Sequence, residues 1–119
     1  MPLFDQFDGA ESYYATLLHE LTHWTGHKSR LDRQAHKRFG DPAYAFEELV
    51  AELGAAFLCA DLQLSAAPRE DHAPYLAHWL KALKAAPSIL MAAAGAAERA
   101  CEHLHGLQAS VPAPIALAA

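Results

Sequence analysis

Cysteine is scarce in this sequence, with only Cys59 and Cys101 among 119 residues and no Cys-x-x-Cys pair. This scarcity argues against a disulfide framework and is typical of proteins from a reducing compartment. We therefore expect both cysteines to be buried as small apolar side chains.

Long apolar runs are also missing. The segment ILMAAAGAA is too short to cross a bilayer, and the charged segment ERACEH follows it directly. The acidic opening MPLFDQFDGAE has no apolar stretch of the kind found in signal peptides. These absences predict a cytoplasmic protein that has no membrane partner.

No segment alternates apolar and polar residues as a half-buried strand does, so strands are expected to be few. The fold is predicted to be mainly α, with at most a small sheet. Four helices are predicted, over about residues 9–25, 42–63, 74–85 and 88–105. They would form one domain over residues 1–106, followed by an extended or disordered tail over residues 107–119.

The ends of the first helix carry local signals. Asp8, with Glu11 three residues later, resembles a capping box, and Gly26 is expected to stop the helix. The opening MPLFDQF is the best candidate for an extended piece.

The segment HELTH in the first helix has the spacing of a zinc site. His19 and His23 stand four residues apart, so a helix places both imidazoles on one face. Glu20 would lie about 60° from His23 around the axis, close enough to reach a metal-bound water without binding the metal. The pattern predicts two zinc ligands and a general base.

The opposite side of this helix is apolar. We expect it to face the core, and it consists of Tyr14, Leu17, Leu18, Leu21 and Trp24.

A catalytic zinc ion needs a third protein ligand. His27 lies on the same helical face, but it would stand about 12 Å from His19 along the axis. We therefore expect His27 to lie beside the metal ligands or to face the substrate, with a direct metal bond as the less favoured alternative.

The segment EELVAELGAAFLC offers a better third ligand. Glu48 and Glu52 share a stripe with Ala55 and Cys59, and carboxylates beside small residues suit close packing against another helix. If that helix carries HELTH, Glu48 can bind the metal and Glu52 can accept a hydrogen bond from a ligand histidine. The reverse assignment of the two glutamates stays open, and Glu47 is expected at the surface.

Basic residues are concentrated directly after the HELTH helix, although the net charge of the chain is −5. The usual interpretation of such a run is a solvated loop, and the alternative is contact with an acidic partner such as DNA. The five residues are Lys28, Arg30, Arg33, Lys37 and Arg38.

Three segments together carry a family resemblance: YYATLLHELTHWTGHKSRLDR, FGDPAYAFEELVAELGAAFLCADL and YLAHWLKALK. They resemble the C-terminal zincin-like metallopeptidase domain of ArdC-type antirestriction proteins, which is also present in TraC primase-like and phage polyvalent proteins. The resemblance covers residues 1 to about 105. It implies that His19, His23 and a glutamate of EELVAE bind the metal and that Glu20 is the base.

The resemblance also implies a setting for the domain. In that family the domain follows an N-terminal domain that binds single-stranded DNA, and nothing in this sequence resembles it. The expected function is a zinc-dependent, or other divalent metal-dependent, peptidase linked to antirestriction and conjugative DNA transfer. The alternative is a non-catalytic, metal-stabilised interaction module of a protein that binds single-stranded DNA.

Overall fold

The computed structural model describes residues 1–33, 42–64, 80–81, 83–85 and 87–108. A 3-10 turn at Phe4–Gln6 precedes three α-helices, which are α1 (Ala10–Thr25), α2 (Pro42–Asp61) and α3 (Ser88–Gly106). Residues 80–81 and 83–85 are helical too, and these described ranges contain no strand. The prediction of a mainly α fold is confirmed, while most of the helix predicted at residues 74–85 and the tail beyond residue 108 lie outside the described residues.

The opening of the chain forms a 3-10 turn at Phe4–Gln6 between extended backbone at Leu3 and Phe7, so the prediction of an extended piece there was wrong in its centre. Phe4–Gln6 forms its 3-10 turn because the Gln6 side chain accepts a hydrogen bond from the Leu3 N–H at 2.8 Å. The rings of Phe4 and Phe7 then lie edge-on against Tyr13, with centroids 5.0 and 5.3 Å away. These aromatic contacts fold the opening back onto the first turn of α1.

The ends of α1 differ in how well they were predicted. The cap predicted at Asp8 is wrong, because Gly9 occupies the N-cap with a φ of 110° and no side chain caps the helix. The stop at Gly26 is confirmed, and its N–H donates to the carbonyl of His23 at 2.9 Å. A Cβ at Gly26 would lie only 3.0 Å from Nη2 of Arg33, so glycine makes room for that guanidinium.

Helix α2 packs against both α1 and α3. Small side chains on α2 and α3 allow a close approach, as in the buried cluster of Ala45, Leu49, Val50, Ala93, Ala96 and Ala97. A second cluster joins all three helices through Leu18, Leu58, Cys59 and Cys101. Both cysteines are buried and free, as predicted. Within the described ranges, each helix is too short or too polar to cross a membrane.

Helix α1 buries a different face from the one predicted. Tyr14 and Trp24 are 45% and 43% exposed, so the apolar side is only partly in the core. The buried residues are Thr16, Leu18, His19, Thr22 and Thr25. Threonine can be buried here because its hydroxyl donates within the helix, as Thr22 does to the Leu18 carbonyl at 2.8 Å. The histidine face of α1 therefore lies against protein rather than solvent.

Gly54 of α2 sets the distance between α1 and α2. A Cβ at this position would lie 2.6 Å from Cγ2 of Thr22, a side chain that is fully buried. Thr22 cannot move aside without losing its hydrogen bond to α1. Only glycine therefore lets the two helices approach this closely.

Gly54→Ala is expected to destabilise the fold by about 1–3 kcal/mol, the usual cost of overpacking a tight interface. This cost should exceed the gain in helix propensity, which is about 1 kcal/mol for replacing glycine by alanine. Urea unfolding followed by circular dichroism would measure it.

The matched control is Gly95→Ala in α3. Among the described residues, a Cβ there would meet only the flexible end of Arg99 at 3.5 Å, so this variant should be neutral or stabilised. Equal stabilities of the two variants would show that Gly54 does not set the helix spacing.

Candidate metal centre

Three side chains meet between α1 and α2. His19 and His23 from α1 and Glu48 from α2 each offer a donor atom, and these atoms lie within 4.8 Å of one another. The two imidazole Nε2 atoms are 3.1 Å apart. Of the two Glu48 carboxylate oxygens, Oε2 lies 3.4 Å from Nε2 of His19 and Oε1 lies 3.0 Å from Nε2 of His23. The structure thus brings together the three residues that the helical spacing selected.

The spacing of these donors fits a divalent metal ion. A tetrahedral zinc site with bonds of about 2.0–2.1 Å separates its donor atoms by roughly 3.3–3.4 Å. The separations found here are 3.0, 3.1 and 3.4 Å, so small shifts would accommodate an ion. Two imidazoles and one carboxylate are also a donor set that catalytic zinc sites use.

The second nitrogen of each histidine is paired with a carboxylate. Nδ1 of His19 lies 2.6 Å from Oε1 of Glu52, and Nδ1 of His23 lies 2.8 Å from Oε2 of Glu47. A carboxylate that accepts a hydrogen bond from Nδ1–H fixes the tautomer and leaves Nε2 free to bind a metal. This geometry favours Glu48 as the ligand and Glu52 as the residue that orients His19.

Glu47 is not at the surface, which corrects the sequence interpretation. Glu47 as a whole is only 8% exposed, and its carboxylate accepts hydrogen bonds from His23 and from Arg33. The spacing of residues along α2 could not indicate that Glu47 is buried, because its partners come from α1 and from the loop that follows α1. A buried carboxylate at this position requires such partners.

Arg33 is bound within the protein, whereas the usual interpretation of the basic run was a solvated side chain. Its guanidinium donates to Glu47, to the Thr25 hydroxyl at 2.9 Å and to the Thr22 carbonyl at 2.6 Å. These bonds occupy the guanidinium within the protein, so it is not presented to a phosphate backbone.

The rest of the basic run is only partly described. Arg30 stacks on Trp24 at 3.7 Å from the ring centroid, and Lys28 is exposed. Lys37 and Arg38 lie outside the described residues. Contact with single-stranded DNA stays a prediction carried by Lys28, Arg30, Lys37 and Arg38, and a failure to bind an oligonucleotide at low salt would remove it.

His27 does not join the cluster. Gly26 ends α1, and His27 is exposed, with its Nδ1 accepting a hydrogen bond from the Ser29 N–H at 3.1 Å. Among the described residues, the group able to hold a metal contains His19, His23 and Glu48 without His27.

The predicted base, Glu20, is the neighbour of His19 along the chain. It follows His19 directly on α1, and it is exposed. Within the described part of the chain, its carboxylate makes neither a hydrogen bond nor an ion pair. It is therefore open to a water molecule or a substrate.

Protons and a metal ion compete for the imidazoles. Burial lowers the pKa of His23, but hydrogen bonds to Glu47 and Glu48 outweigh burial and raise that pKa to about 9. Burial raises the pKa of Glu48, yet hydrogen bonds from both histidines bring that pKa down to about 2. Without a metal, ion pairs of imidazolium and carboxylate can therefore hold the same groups together.

Comparison with solved structures shows which known proteins share this fold. The crystal structure of the Mn(II)-bound antirestriction protein ArdC from plasmid R388 matches with a TM-score of 0.81 at 45% identity, over 94% of this chain and 42% of that chain. The metal-free structure of the same protein matches with a TM-score of 0.74 at 49% identity, over 88% of this chain and 38% of that chain.

Sequence comparisons agree with the structural ones. The model of the zincin-like metallopeptidase family matches residues 1–96. The uncharacterized protein y4eC of Sinorhizobium fredii is 47% identical over 91% of this chain and 35% of its own length. DNA primase TraC of Escherichia coli is 46% identical over 83% of this chain and 9% of its own length. The resemblance predicted from the sequence is confirmed, and the chain spans about a third or less of these two relatives.

Proposed function

Because this chain belongs to the zincin-like metallopeptidase family, we propose that it is a metal-dependent hydrolase of the peptidase type, with zinc as its metal. The observation that carries the proposal is the meeting of His19, His23 and Glu48, with donor atoms within 4.8 Å of one another. The open carboxylate of Glu20 beside them supplies the base that hydrolysis needs.

The charges of the site support a divalent ion. With neutral imidazoles, the carboxylates of Glu47, Glu48 and Glu52 and the guanidinium of Arg33 leave two net negative charges around the donor atoms. A divalent cation would neutralise them, as the protons of the two imidazolium rings do when no metal is bound. Manganese is the metal of the ArdC structure, and zinc is favoured here because two imidazoles and a glutamate suit it.

His19, His23 and Glu48 would hold the ion, and a bound zinc ion supplies Lewis acidity to the water and the scissile carbonyl. Glu52 and Glu47 would keep the two imidazoles in the tautomer that presents Nε2. Glu20 would accept a proton from the attacking water and pass it to the departing amine.

The alternative is a metal-stabilised interaction module without turnover. It is favoured by the fact that the chain covers only 42% of the ArdC chain, so that other parts of such a protein can carry its activity. In either case we propose that the chain works in antirestriction or plasmid transfer, as the names of its relatives suggest. Contact with single-stranded DNA would then come from a further domain.

The test begins with protein purified without added metal, then loaded with Zn²⁺. We expect roughly one equivalent of tightly held metal and cleavage of unfolded protein or peptide substrates. A chelator should abolish the cleavage, and added Zn²⁺ should restore it. Stoichiometric metal that raises the melting temperature without any cleavage would favour the interaction module, and only trace metal after loading would refute the metal centre.

A further inference from the structure

We propose that Arg33 is a positioning residue of the metal centre and that it acts on His23 through Glu47. The inference rests on the metal-binding part of the proposed function. It does not depend on whether the chain hydrolyses peptides.

The contacts form a continuous path to a donor atom. Arg33 meets Glu47 with two nitrogens, Nε at 2.8 Å from Oε1 and Nη2 at 3.2 Å from Oε2. Oε2 also accepts a hydrogen bond from Nδ1 of His23 at 2.8 Å. Because a planar guanidinium binds both carboxylate oxygens, it fixes the plane of the carboxylate as well as its position. The His23 ring, and therefore its Nε2, is oriented by a carboxylate that cannot rotate freely.

The same guanidinium is anchored to the helix that carries the histidines. It donates to the Thr22 carbonyl and to the Thr25 hydroxyl in the last turn of α1. Both threonines are fully buried, and the Arg33 side chain is 14% exposed. Arg33 therefore joins α1 to α2 at the point where these helices supply the metal donors.

The loop between α1 and Arg33 is built to return to this place. The Arg33 N–H donates to the Gly26 carbonyl at 2.9 Å, and the Leu31 N–H donates to the Thr25 carbonyl at 2.9 Å. Asp32 adopts a φ of 52°, which lets the chain turn back toward α1. A Cβ at Gly26 would press on the guanidinium at 3.0 Å.

Two effects of Arg33 on a metal ion oppose each other. Its positive charge disfavours a nearby cation, whereas the planar pair of N–H donors holds Glu47, and through it His23, in place. Arg33→Lys separates them, because lysine keeps the charge and loses the planar pair of donors.

The first experiment measures Zn²⁺ affinity of the full chain by competition with a chelator. Arg33→Lys is expected to bind Zn²⁺ about 10-fold or more weakly, on the scale of losing a residue that orients a ligand. The control Arg99→Lys makes the same chemical change on the exposed side of α3 and should keep the wild-type affinity. Circular dichroism of the metal-free proteins checks that each variant is folded.

A spectroscopic measurement tests positioning directly. Side-chain ¹⁵N NMR of the zinc-loaded wild type should show His23 as a single tautomer with the proton on Nδ1. In Arg33→Lys, the His23 signals should broaden or shift, while those of His19, which pairs with Glu52, should change less. A merely structural role would not single out His23.

A double-variant comparison with Glu47→Gln shows whether Arg33 acts through Glu47. If it does, adding Arg33→Lys to Glu47→Gln should weaken Zn²⁺ binding little further, whereas independent roles would add. If Arg33→Lys fails to fold, Glu47→Gln alone still tests the inference. It removes the carboxylate that joins Arg33 to His23, so it should also weaken Zn²⁺ binding and change the His23 signals. The inference is overturned if folded Arg33→Lys binds Zn²⁺ as tightly as wild type, or if the losses in affinity of the two variants add.

The failure of this inference is distinguishable from the failure of the proposed function. Wild-type protein that binds zinc but cleaves nothing would remove the peptidase activity alone, whereas wild type that binds no zinc would overturn both the proposed function and the role of Arg33.

Discussion

Glu48→Ala is expected to abolish tight metal binding, whereas Glu52→Ala should weaken it by only about 10–100-fold. The reason is that the Glu48 carboxylate faces Nε2 of both histidines, at 3.4 and 3.0 Å, while Glu52 faces Nδ1 of His19 alone. Removal of Glu48 takes away a donor and a negative charge from the ion. Removal of Glu52 leaves all three donors and only loosens one imidazole.

Elemental analysis after Zn²⁺ loading, with chelator competition for any variant that retains metal, measures this difference. Glu48→Gln is the matched control for packing, because it preserves the shape of the side chain and removes its charge. It should bind metal far less tightly than wild type while staying folded. The two assignments exchange if Glu52→Ala releases the metal and Glu48→Ala retains it.

The helical period accounts for what could be predicted about this site. His19 with His23, and Glu48 with Glu52, stand four residues apart, and that spacing places each pair on one face whatever else the fold does. Helix α2 was expected to pack closely against another helix because small residues follow Glu48 and Glu52, and the HELTH helix was the candidate partner. The close contact of Gly54 with Thr22 agrees with that expectation.

The misjudged residues depend on tertiary contacts that no local pattern specifies. Glu47 is buried because Arg33 reaches it from a loop fourteen positions earlier in the chain. Arg33 itself stands in a run of basic residues, where a solvated side chain is the usual expectation. Its burial follows from the turn after Gly26, which returns the chain to the end of α1.

The buried face of α1 was misjudged for a related reason. Large apolar side chains such as Trp24 were expected to face the core, yet Trp24 is 43% exposed and carries Arg30 on its ring. The space between α1 and α2 is too narrow for such side chains where Gly54 meets Thr22. A close helix pair selects threonine and histidine for burial, and this is also what brings the histidines to Glu48.

Glu20→Gln is expected to keep stoichiometric zinc and to lose about 10²–10⁴-fold in the rate of any hydrolysis, the usual scale of general acid–base catalysis. The side chain is exposed, and within the described residues it pairs with no other group, so its replacement leaves the metal donors untouched. The amide of glutamine has nearly the same shape but cannot accept the proton of the attacking water. Stability should change by no more than about 0.5 kcal/mol, as is usual for exposed positions.

The measurement compares cleavage by wild type and Glu20→Gln at equal zinc content, which elemental analysis fixes beforehand. Wild type from which a chelator has removed the metal is the control. Its cleavage rate shows the effect of losing the ion, and the rate of zinc-loaded Glu20→Gln shows the effect of losing the base. If Glu20→Gln loses zinc and activity together, Glu20 binds the metal and is a fourth protein ligand rather than the base. If zinc and activity both persist, another group takes the proton, and Glu20 is an ordinary surface carboxylate beside the two histidines.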